Sequence, residues 1–136
     1  MATLRLPAAM ESFEAFRSFV LREMENEGDL EELIPRVDLV LEEILVNVIN
    51  YAYPQGSGEI EVECGAGGKG EFQVTVKDWG VPFNPLEQDA PDLSSDISSR
   101  KVGGLGVYLI KEMTSRLAYE FRNGGNVLTL GFTKRM

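Results

Sequence analysis

Hydrophobic residues recur at helical spacing over residues 37–54, where they form one wide apolar face. Pro54 marks the end of the predicted helix, because proline cannot continue it. Another side carries a narrow polar stripe of Glu43, Asn47 and Asn50, which are neighbours because they lie three or four residues apart. The apolar face consists of Val37, Leu41, Ile44, Leu45, Val48 and Ala52.

This polar stripe has two interpretations. A helix that is apolar nearly all round is normally buried, so polar side chains on it look into an enclosed space and need partners there. In the first interpretation, the stripe is a solvated face or an internal hydrogen-bond network. In the second, a carboxylate and two carboxamides form one wall of a ligand pocket, with oxygen atoms suited to a hard cation such as magnesium.

Two further helices are predicted. One covers residues 10–27 and is ended by Gly28, and an acidic segment, residues 29–35, leads from it into the central helix. The first turn of the central helix is expected to hold Asp38, near the positive end of the helix dipole. The last helix begins after the glycine run 103–106. Its apolar residues are Val107, Ile110, Met113 and Leu117.

Alternating apolar and polar residues predict several strands. The glycine-rich run 65–70 lies between two of them and the turn 123–125 between two others, so both are expected to connect hairpins. The predicted strands cover residues 3–6, 59–64, 71–78, 118–122 and 126–132.

Asp78 is a charged residue at the end of a strand, on the side of that strand that is predicted to be buried. Phe72, Val74 and Val76 face the predicted core, and the same alternation places the Asp78 carboxylate on that side. A carboxylate there needs a partner. It either caps the turn that follows or accepts a hydrogen bond from the amino group of a ligand.

The composition excludes several kinds of site. The chain has 136 residues, a net charge of -9, one cysteine and no histidine. The lack of histidine excludes Ser-His-Asp and Cys-His triads and histidine-ligated zinc. The acidic charge disfavours direct nucleic-acid binding, and no run approaches the roughly 20 apolar residues that span a membrane. We therefore expect a cytoplasmic protein with no membrane partner.

The glycine run 103–106 is a candidate anion site. It follows residues 86–102, which show no sustained periodicity and are typical of a functional lid or a disordered loop. Free backbone N–H groups at a helix start favour an anion such as phosphate. Arg100 and Lys101 immediately precede the run, which favours phosphate further.

Three segments, in this order and spacing, resemble the three ATP-binding boxes of the Bergerat-fold (GHKL) ATPases. That superfamily includes gyrase, histidine kinases, the heat-shock chaperone and mismatch-repair ATPases. The segments are residues 43–53, 78–85 and 104–107. The chain looks most similar to the small anti-sigma factor serine/threonine kinases, and the resemblance covers nearly its whole length.

The resemblance implies roles for individual residues. Glu43 is expected to be the catalytic base, and Asn47 the residue that coordinates the magnesium bridging the phosphates. Asp78 is expected to read the adenine, and Gly80 to let the base approach the backbone. The other ATP-binding positions implied by the resemblance are Tyr51, Phe83, Arg100, Lys101, Gly103, Gly104, Leu105, Gly106 and Val107.

Three positions depart from the family pattern. Pro82 stands where the second box commonly has glycine, which stiffens the turn. Gly103 stands where related chains often have a basic residue, which leaves phosphate neutralisation to Arg100 or Lys101. Asn126 stands where relatives often have threonine near the adenine.

The expected fold is a single α/β (α+β) two-layer domain over residues 1–136. Its mixed, mainly antiparallel sheet carries helices on one face, with a lid at about residues 84–103. The resemblance implies an anti-sigma factor that binds ATP and Mg2+, binds a sigma factor, phosphorylates a small antagonist and forms a homodimer. An ATP-gated protein-binding module without phosphoryl transfer remains the alternative, as does an α/β interaction domain with no ligand.

Overall fold

The structure, a computed structural model, describes residues 1–68, 70–84 and 104–134. Within these ranges it contains three α-helices and five strands. The helices are α1 (Phe13–Glu27), α2 (Ile34–Tyr51) and α3 (Gly104–Met113). The strands are β1 (Ala2–Pro7), β2 (Glu59–Ala66), β3 (Glu71–Asp78), β4 (Arg116–Arg122) and β5 (Gly125–Thr133).

The strands form one sheet in the order β1-β2-β3-β5-β4. All four pairings described are antiparallel, so this sheet lacks the parallel pair that a mixed sheet would include. β5 lies between β3 and β4, which places Asp78 of β3 opposite Asn126 of β5. This α+β architecture confirms the predicted fold class.

The core lies between the sheet and the helices. The predicted parity of β2 and β3 is confirmed, because alternate residues of each strand are almost completely buried. Each large apolar side chain buried in this way contributes about 1.5–3 kcal/mol. The buried residues of these two strands include Ile60, Val62, Cys64, Phe72, Val74 and Val76.

Helix α2 begins at Ile34, three residues before the predicted start. Pro35 occupies its first turn, where proline is tolerated because the N–H it lacks would have no intrahelical acceptor. The prediction that Asp38 lies in the first turn is therefore wrong. Its carboxylate instead pairs with Arg17 of α1, at 2.6 Å from Nε to Oδ1.

Two other predicted helix boundaries also differ. Residues Met10–Ser12 form a separate 3-10 turn ahead of α1. Leu117 belongs to β4 and not to the last helix, which ends at Met113. The Thr114 hydroxyl donates to the carbonyl of Ile110 at 2.7 Å, so it satisfies a helix-end acceptor at the point where the chain turns towards the sheet.

Both predicted hairpin connections are confirmed. In the first, the N–H of Gly67 donates to the carbonyl of Glu71 at 2.9 Å and Gly70 has a φ of 73°. In the second, Asn123 and Gly124 have φ values of 52° and 77°. Two consecutive positive φ values match the twist of a tight hairpin, which explains the Asn-Gly pair.

Cys64 lies in the core of β2, and burial raises the pKa of its thiol to about 12. From an ordinary value of 9.0, this lowers the thiolate fraction by roughly a thousandfold. We expect a thiol reagent at mildly alkaline pH to modify Cys64 only as fast as the protein unfolds. A Ser57→Cys variant carries a cysteine at an exposed position and should react at once. Rapid modification of Cys64 in the native protein would contradict a core position.

Among the described residues, no helix is long and apolar enough to cross a bilayer.

Candidate functional site

A pocket opens at the end of the sheet where β3 stops, between that edge and the C-terminal half of α2. Its wall is mostly apolar, with a small number of polar side chains, as in most small-molecule sites. The lining residues come from α2, α3, three strands and the segment after β3. They are Ile44, Asn47, Val48, Tyr51, Ala52, Val76, Asp78, Val81, Phe83, Ile110, Tyr119, Asn126 and Leu128.

The polar stripe of α2 lies at the edge of this pocket. Successive helical residues are about 100° apart, so Asn47 lies roughly 40° beyond the pocket-lining Tyr51, on the side away from Ile44. Glu43 and Asn50 lie roughly 40–60° further round the helix than Asn47. Asn47 accordingly lines the pocket, Glu43 is partly buried outside the lining, and Asn50 is exposed. The expectation that all three look into an enclosed space is therefore wrong for Asn50.

Glu43 has an environment that changes its acidity. Burial raises the pKa of its carboxyl above the ordinary value, and the negative charge of the neighbouring Glu42 raises it further. Glu42 itself is exposed, as expected of a surface charge. A carboxylate with a raised pKa is a stronger base, so Glu43 is suited to accept a proton one helical turn from Asn47.

Asp78 caps the turn after β3, and its side chain also lines the pocket, where its role towards a ligand stays a prediction. Its side chain is only 5% exposed and lines the pocket. Oδ1 accepts the N–H of Gly80 at 2.9 Å, which caps the turn after β3. Oδ1 also accepts Nδ2 of Asn126 at 2.9 Å. From the part of the chain that the structure describes, Oδ2 receives no hydrogen bond, so it is available as an acceptor.

Gly80 has a packing role that the sequence did not reveal. A Cβ at this position would lie 2.0 Å from the carbonyl oxygen of Ala52, at the end of α2. The same carbonyl accepts the N–H of Val81 at 2.9 Å. Close approach of this turn to α2 therefore requires glycine, whatever the ligand.

Gly80→Ala is expected to lower the free energy of unfolding by about 1–3 kcal/mol or more. The added methyl group would clash with the backbone carbonyl of Ala52, which cannot move away as a flexible side chain could. Urea denaturation measures the change. Gly56→Ala is the matched control, since a Cβ there meets nothing within 4 Å and the residue has no positive φ. Equal stability of the two variants would show that the turn does not pack on Ala52.

Tyr53 joins the same turn to the start of β2. Its hydroxyl accepts the N–H of Trp79 at 2.8 Å and donates to the carbonyl of Glu59 at 2.6 Å. The ring lies against Gly58, where a Cβ would be 2.2 Å from Cε1. The Tyr53 hydrogen bonds and the Ala52 contact attach the turn after Asp78 to the end of α2, the helix that carries Asn47.

Tyr119 was missed by sequence reasoning. It lines the pocket from β4, and its hydroxyl donates to Oδ1 of Asn126. Its alternation with Leu117 indicated an inward-facing side chain, but only the position of β4 beside β5 shows that it reaches the pocket. Asn126, which the resemblance marked only as a departure from the family pattern with no role assigned, is 6% exposed and contacts Asp78 directly.

The remaining predicted site residues divide into two groups. Phe83 lines the pocket, and Gly104 to Val107 open helix α3, as the glycine pattern predicted. Arg100, Lys101 and Gly103 lie outside the described residues, as does nearly all of the predicted lid.

The pocket offers a ligand that suits a magnesium ion bound mainly by the phosphates of a nucleotide. Among the described ranges, no three His, Cys, Asp or Glu side chains come together as a metal-binding group. Mg2+ is usually held by one or two protein groups together with substrate phosphates and water. The neutral carboxamide of Asn47 at the pocket edge can supply such an oxygen without repelling phosphate.

The fold resembles that of the Acinetobacter baumannii histidine kinase AdeS, with a TM-score of 0.52. The match covers 100% of this chain and 70% of that one, at 12% sequence identity, and so shows the fold alone.

The sequence is 26% identical over 92 residues to serine/threonine-protein kinase BtrW of Bordetella bronchiseptica. This match covers 68% of the chain and 65% of the length of BtrW.

The model of one protein family, the histidine kinase-like ATPase domain, matches residues 6–132 and so spans nearly the whole chain. An ATPase domain implies that the protein binds ATP. Family, sequence and fold thus confirm the predicted resemblance to the GHKL superfamily. This chain belongs to the histidine kinase-like ATPase domain family.

Proposed function

We propose that this protein is a serine/threonine protein kinase that uses Mg-ATP to phosphorylate a small protein. The observation that carries the proposal is the arrangement of two residues of α2. Asn47 lines the edge of the pocket, and Glu43, whose pKa is raised, lies one helical turn away from it. A ligand pocket needs no proton acceptor beside it, whereas phosphoryl transfer to a hydroxyl does. The 26% identity to a serine/threonine-protein kinase supports the same reading.

The pocket residues divide the work between the two ends of the nucleotide. Asp78 Oδ2 accepts a hydrogen bond from the amino group of adenine, and the apolar walls of the pocket pack against the adenine ring. Phe83 and Tyr51 line the same pocket and complete its walls beside the base. At the other end, the N–H groups at the start of α3, residues 104–107, stabilise the phosphates.

Phosphoryl transfer depends mainly on positioning and charge neutralisation. Bound Mg2+ would neutralise the phosphates, and Asn47 is the residue that would hold it. Glu43 accepts the proton of the serine hydroxyl as its oxygen attacks the γ-phosphorus. The bond from that phosphorus to the β–γ bridging oxygen breaks, and ADP leaves. Arg100, Lys101 and Gly103 are proposed to contribute further to phosphate binding.

The partners follow from the resemblance to anti-sigma factor kinases. We propose that the protein acts in the cytoplasm as a homodimer, sequesters a sigma factor and phosphorylates the small antagonist that would otherwise displace it. The net charge of -9 fits a regulator that binds protein and not the DNA backbone.

A second function, an ATP-gated binding module without phosphoryl transfer, is favoured by one observation. Glu43 is not among the residues that line the pocket. If Glu43 keeps this position when ATP binds and its carboxylate does not contact a hydroxyl at the γ-phosphate, ATP would only change the affinity for a partner.

Two measurements separate these functions. Calorimetry with ATP, with and without Mg2+, tests nucleotide binding, and both functions require it to be magnesium-dependent. The γ-labelled nucleotide is then incubated with the protein and a candidate antagonist. The matched control is the same antagonist with its acceptor serine changed to alanine. Label on the serine-containing protein alone supports the kinase, and tight ATP binding without transfer supports the binding module.

A further inference from the structure

Asn126 uses the full hydrogen-bonding capacity of its carboxamide. Nδ2 donates to Oδ1 of Asp78 and to the carbonyl of Val81, both at 2.9 Å. Oδ1 accepts the N–H of Phe83 at 3.0 Å and the hydroxyl of Tyr119. A carboxamide has two donors and two acceptor positions, so all four are occupied.

This pattern permits only one orientation of the amide. A flipped carboxamide would turn its oxygen towards the Asp78 carboxylate and the Val81 carbonyl, and its NH2 group towards the Phe83 N–H and the Tyr119 hydroxyl. The side chain is 6% exposed, so water could not compensate for the lost pairs. Asn126 therefore presents donors, and no acceptor, to Asp78.

The consequence for Asp78 is an unequal use of its two oxygens. Asn126 and the N–H of Gly80 both donate to Oδ1. Oδ2 is left, within the described residues, as an acceptor at the pocket wall. An ionised carboxylate has acceptors only, and the two donors to Oδ1 fix its orientation. Oδ2 can then pair with a ligand N–H, whereas it repels a ligand carbonyl.

We propose that Asn126 is a positioning residue for purine selection: it orients Asp78 so that the pocket accepts a 6-amino purine and rejects a 6-oxo purine. Tyr119 supports Asn126 from β4. This inference rests on the proposed nucleotide binding and goes beyond it, because it assigns base selection to a residue on β5 that acts through Asp78.

Asn126 also joins the base site to the segment that follows β3. Its bonds to Val81 and Phe83 attach two pocket-lining residues to the sheet. The residue that orients Asp78 thus also positions the pocket wall beside the base.

The test compares three ligands on the full chain by calorimetry: ATP, inosine triphosphate and inorganic tripolyphosphate. Inosine triphosphate replaces the amino group by a carbonyl, and tripolyphosphate reports the phosphate site alone. We expect the wild-type protein to bind ATP at least about a hundredfold more tightly than inosine triphosphate. In Asn126→Leu this ratio should fall about tenfold or more, with tripolyphosphate affinity unchanged.

Two milder variants keep the test valid if Asn126→Leu fails to fold. Asn126→Thr restores one donor for Asp78 and should recover part of the discrimination. Tyr119→Phe removes only the hydroxyl that supports Asn126, and it should lower the ratio while the protein stays folded. Tyr108→Phe is the matched control, because Tyr108 is 44% exposed on α3 and does not line the pocket.

The possible failures are distinguishable. If the wild-type protein binds no ATP, the proposed function fails. If it binds ATP but does not distinguish inosine triphosphate, or if Tyr119→Phe and Asn126→Thr keep the full ratio, the inference on Asn126 is overturned. Equal losses for all three ligands in a variant would mean that Asn126 only supports the fold, which also overturns it.

Discussion

Replacing Glu43 by glutamine is expected to lower the rate of phosphoryl transfer by about 10²–10⁴-fold, because the serine hydroxyl loses its proton acceptor. ATP affinity should change little, since Glu43 lies outside the pocket lining. The measurement is the rate of label transfer from γ-labelled ATP at saturating nucleotide. Glu42→Gln is the matched control, as it removes the adjacent, exposed carboxylate. It should change the rate far less than Glu43→Gln does, because burial raises the pKa of Glu43 more than the charge of Glu42 does.

The same variant should be more stable than the wild-type protein at neutral pH. Folding raises the pKa of Glu43, so the folded state binds its proton more tightly than the unfolded state does. The stability that this proton gives is present below the unfolded pKa, near 4.5, and is lost as pH rises through the folded pKa. Above that, the buried charge is a cost that glutamine removes.

Thermal unfolding measured at several pH values tests whether Glu43→Gln is more or less stable than the wild-type protein. The midpoint of Glu43→Gln should exceed that of the wild-type protein most clearly near neutral pH, and the difference should shrink on acidification. A lower midpoint at neutral pH together with weaker ATP binding would show that Glu43 is structural, and it would remove the base from the proposed mechanism.

Asp78→Asn is expected to weaken ATP binding by about 10- to 100-fold, because a hydrogen bond to a charged acceptor contributes roughly 1.5–3 kcal/mol. Asparagine can keep its oxygen towards Asn126 and Gly80, as Asp78 Oδ1 does. The NH2 group then replaces Oδ2 and faces the adenine amino group with a second donor. The fold should be retained while the base site loses its acceptor.

Calorimetric titration with Mg-ATP measures the loss, and circular dichroism checks the fold. Glu120→Gln is the control, since this exposed carboxylate on β4 pairs only with Arg122 among its described contacts and is outside the pocket. Unchanged ATP affinity in a folded Asp78→Asn variant would contradict adenine recognition by Asp78.

The elements that sequence predicted well are those whose signals are local. The alternation in β2 and β3, the Asn-Gly turn at residues 123–124 and the apolar face of α2 depend only on residues a few positions apart. The carboxylate of Asp78 could be placed on the core side for the same reason. Helix starts were predicted less well, because Pro35 is compatible with a first turn as well as with a preceding loop.

The polar stripe of α2 shows the limit of periodicity. The spacing of Glu43, Asn47 and Asn50 correctly made them neighbours on one side of the helix. It could not tell which of them faces the pocket, because the rotation of α2 on the sheet depends on the packing of its apolar face. The tertiary structure turns Asn47 to the pocket edge, leaves Glu43 half-buried and exposes Asn50.

The sequence by itself determined the order and type of the helices and strands, the alternation that buries Asp78, and the three segments that carry the family resemblance. Only the tertiary structure placed Asn126 opposite Asp78, brought Tyr119 to the same pocket and closed the Gly80 turn against Ala52. The physical reason is distance along the chain. Asp78 and Asn126 are 48 residues apart, and their contact exists only because β5 pairs with β3 and separates it from β4.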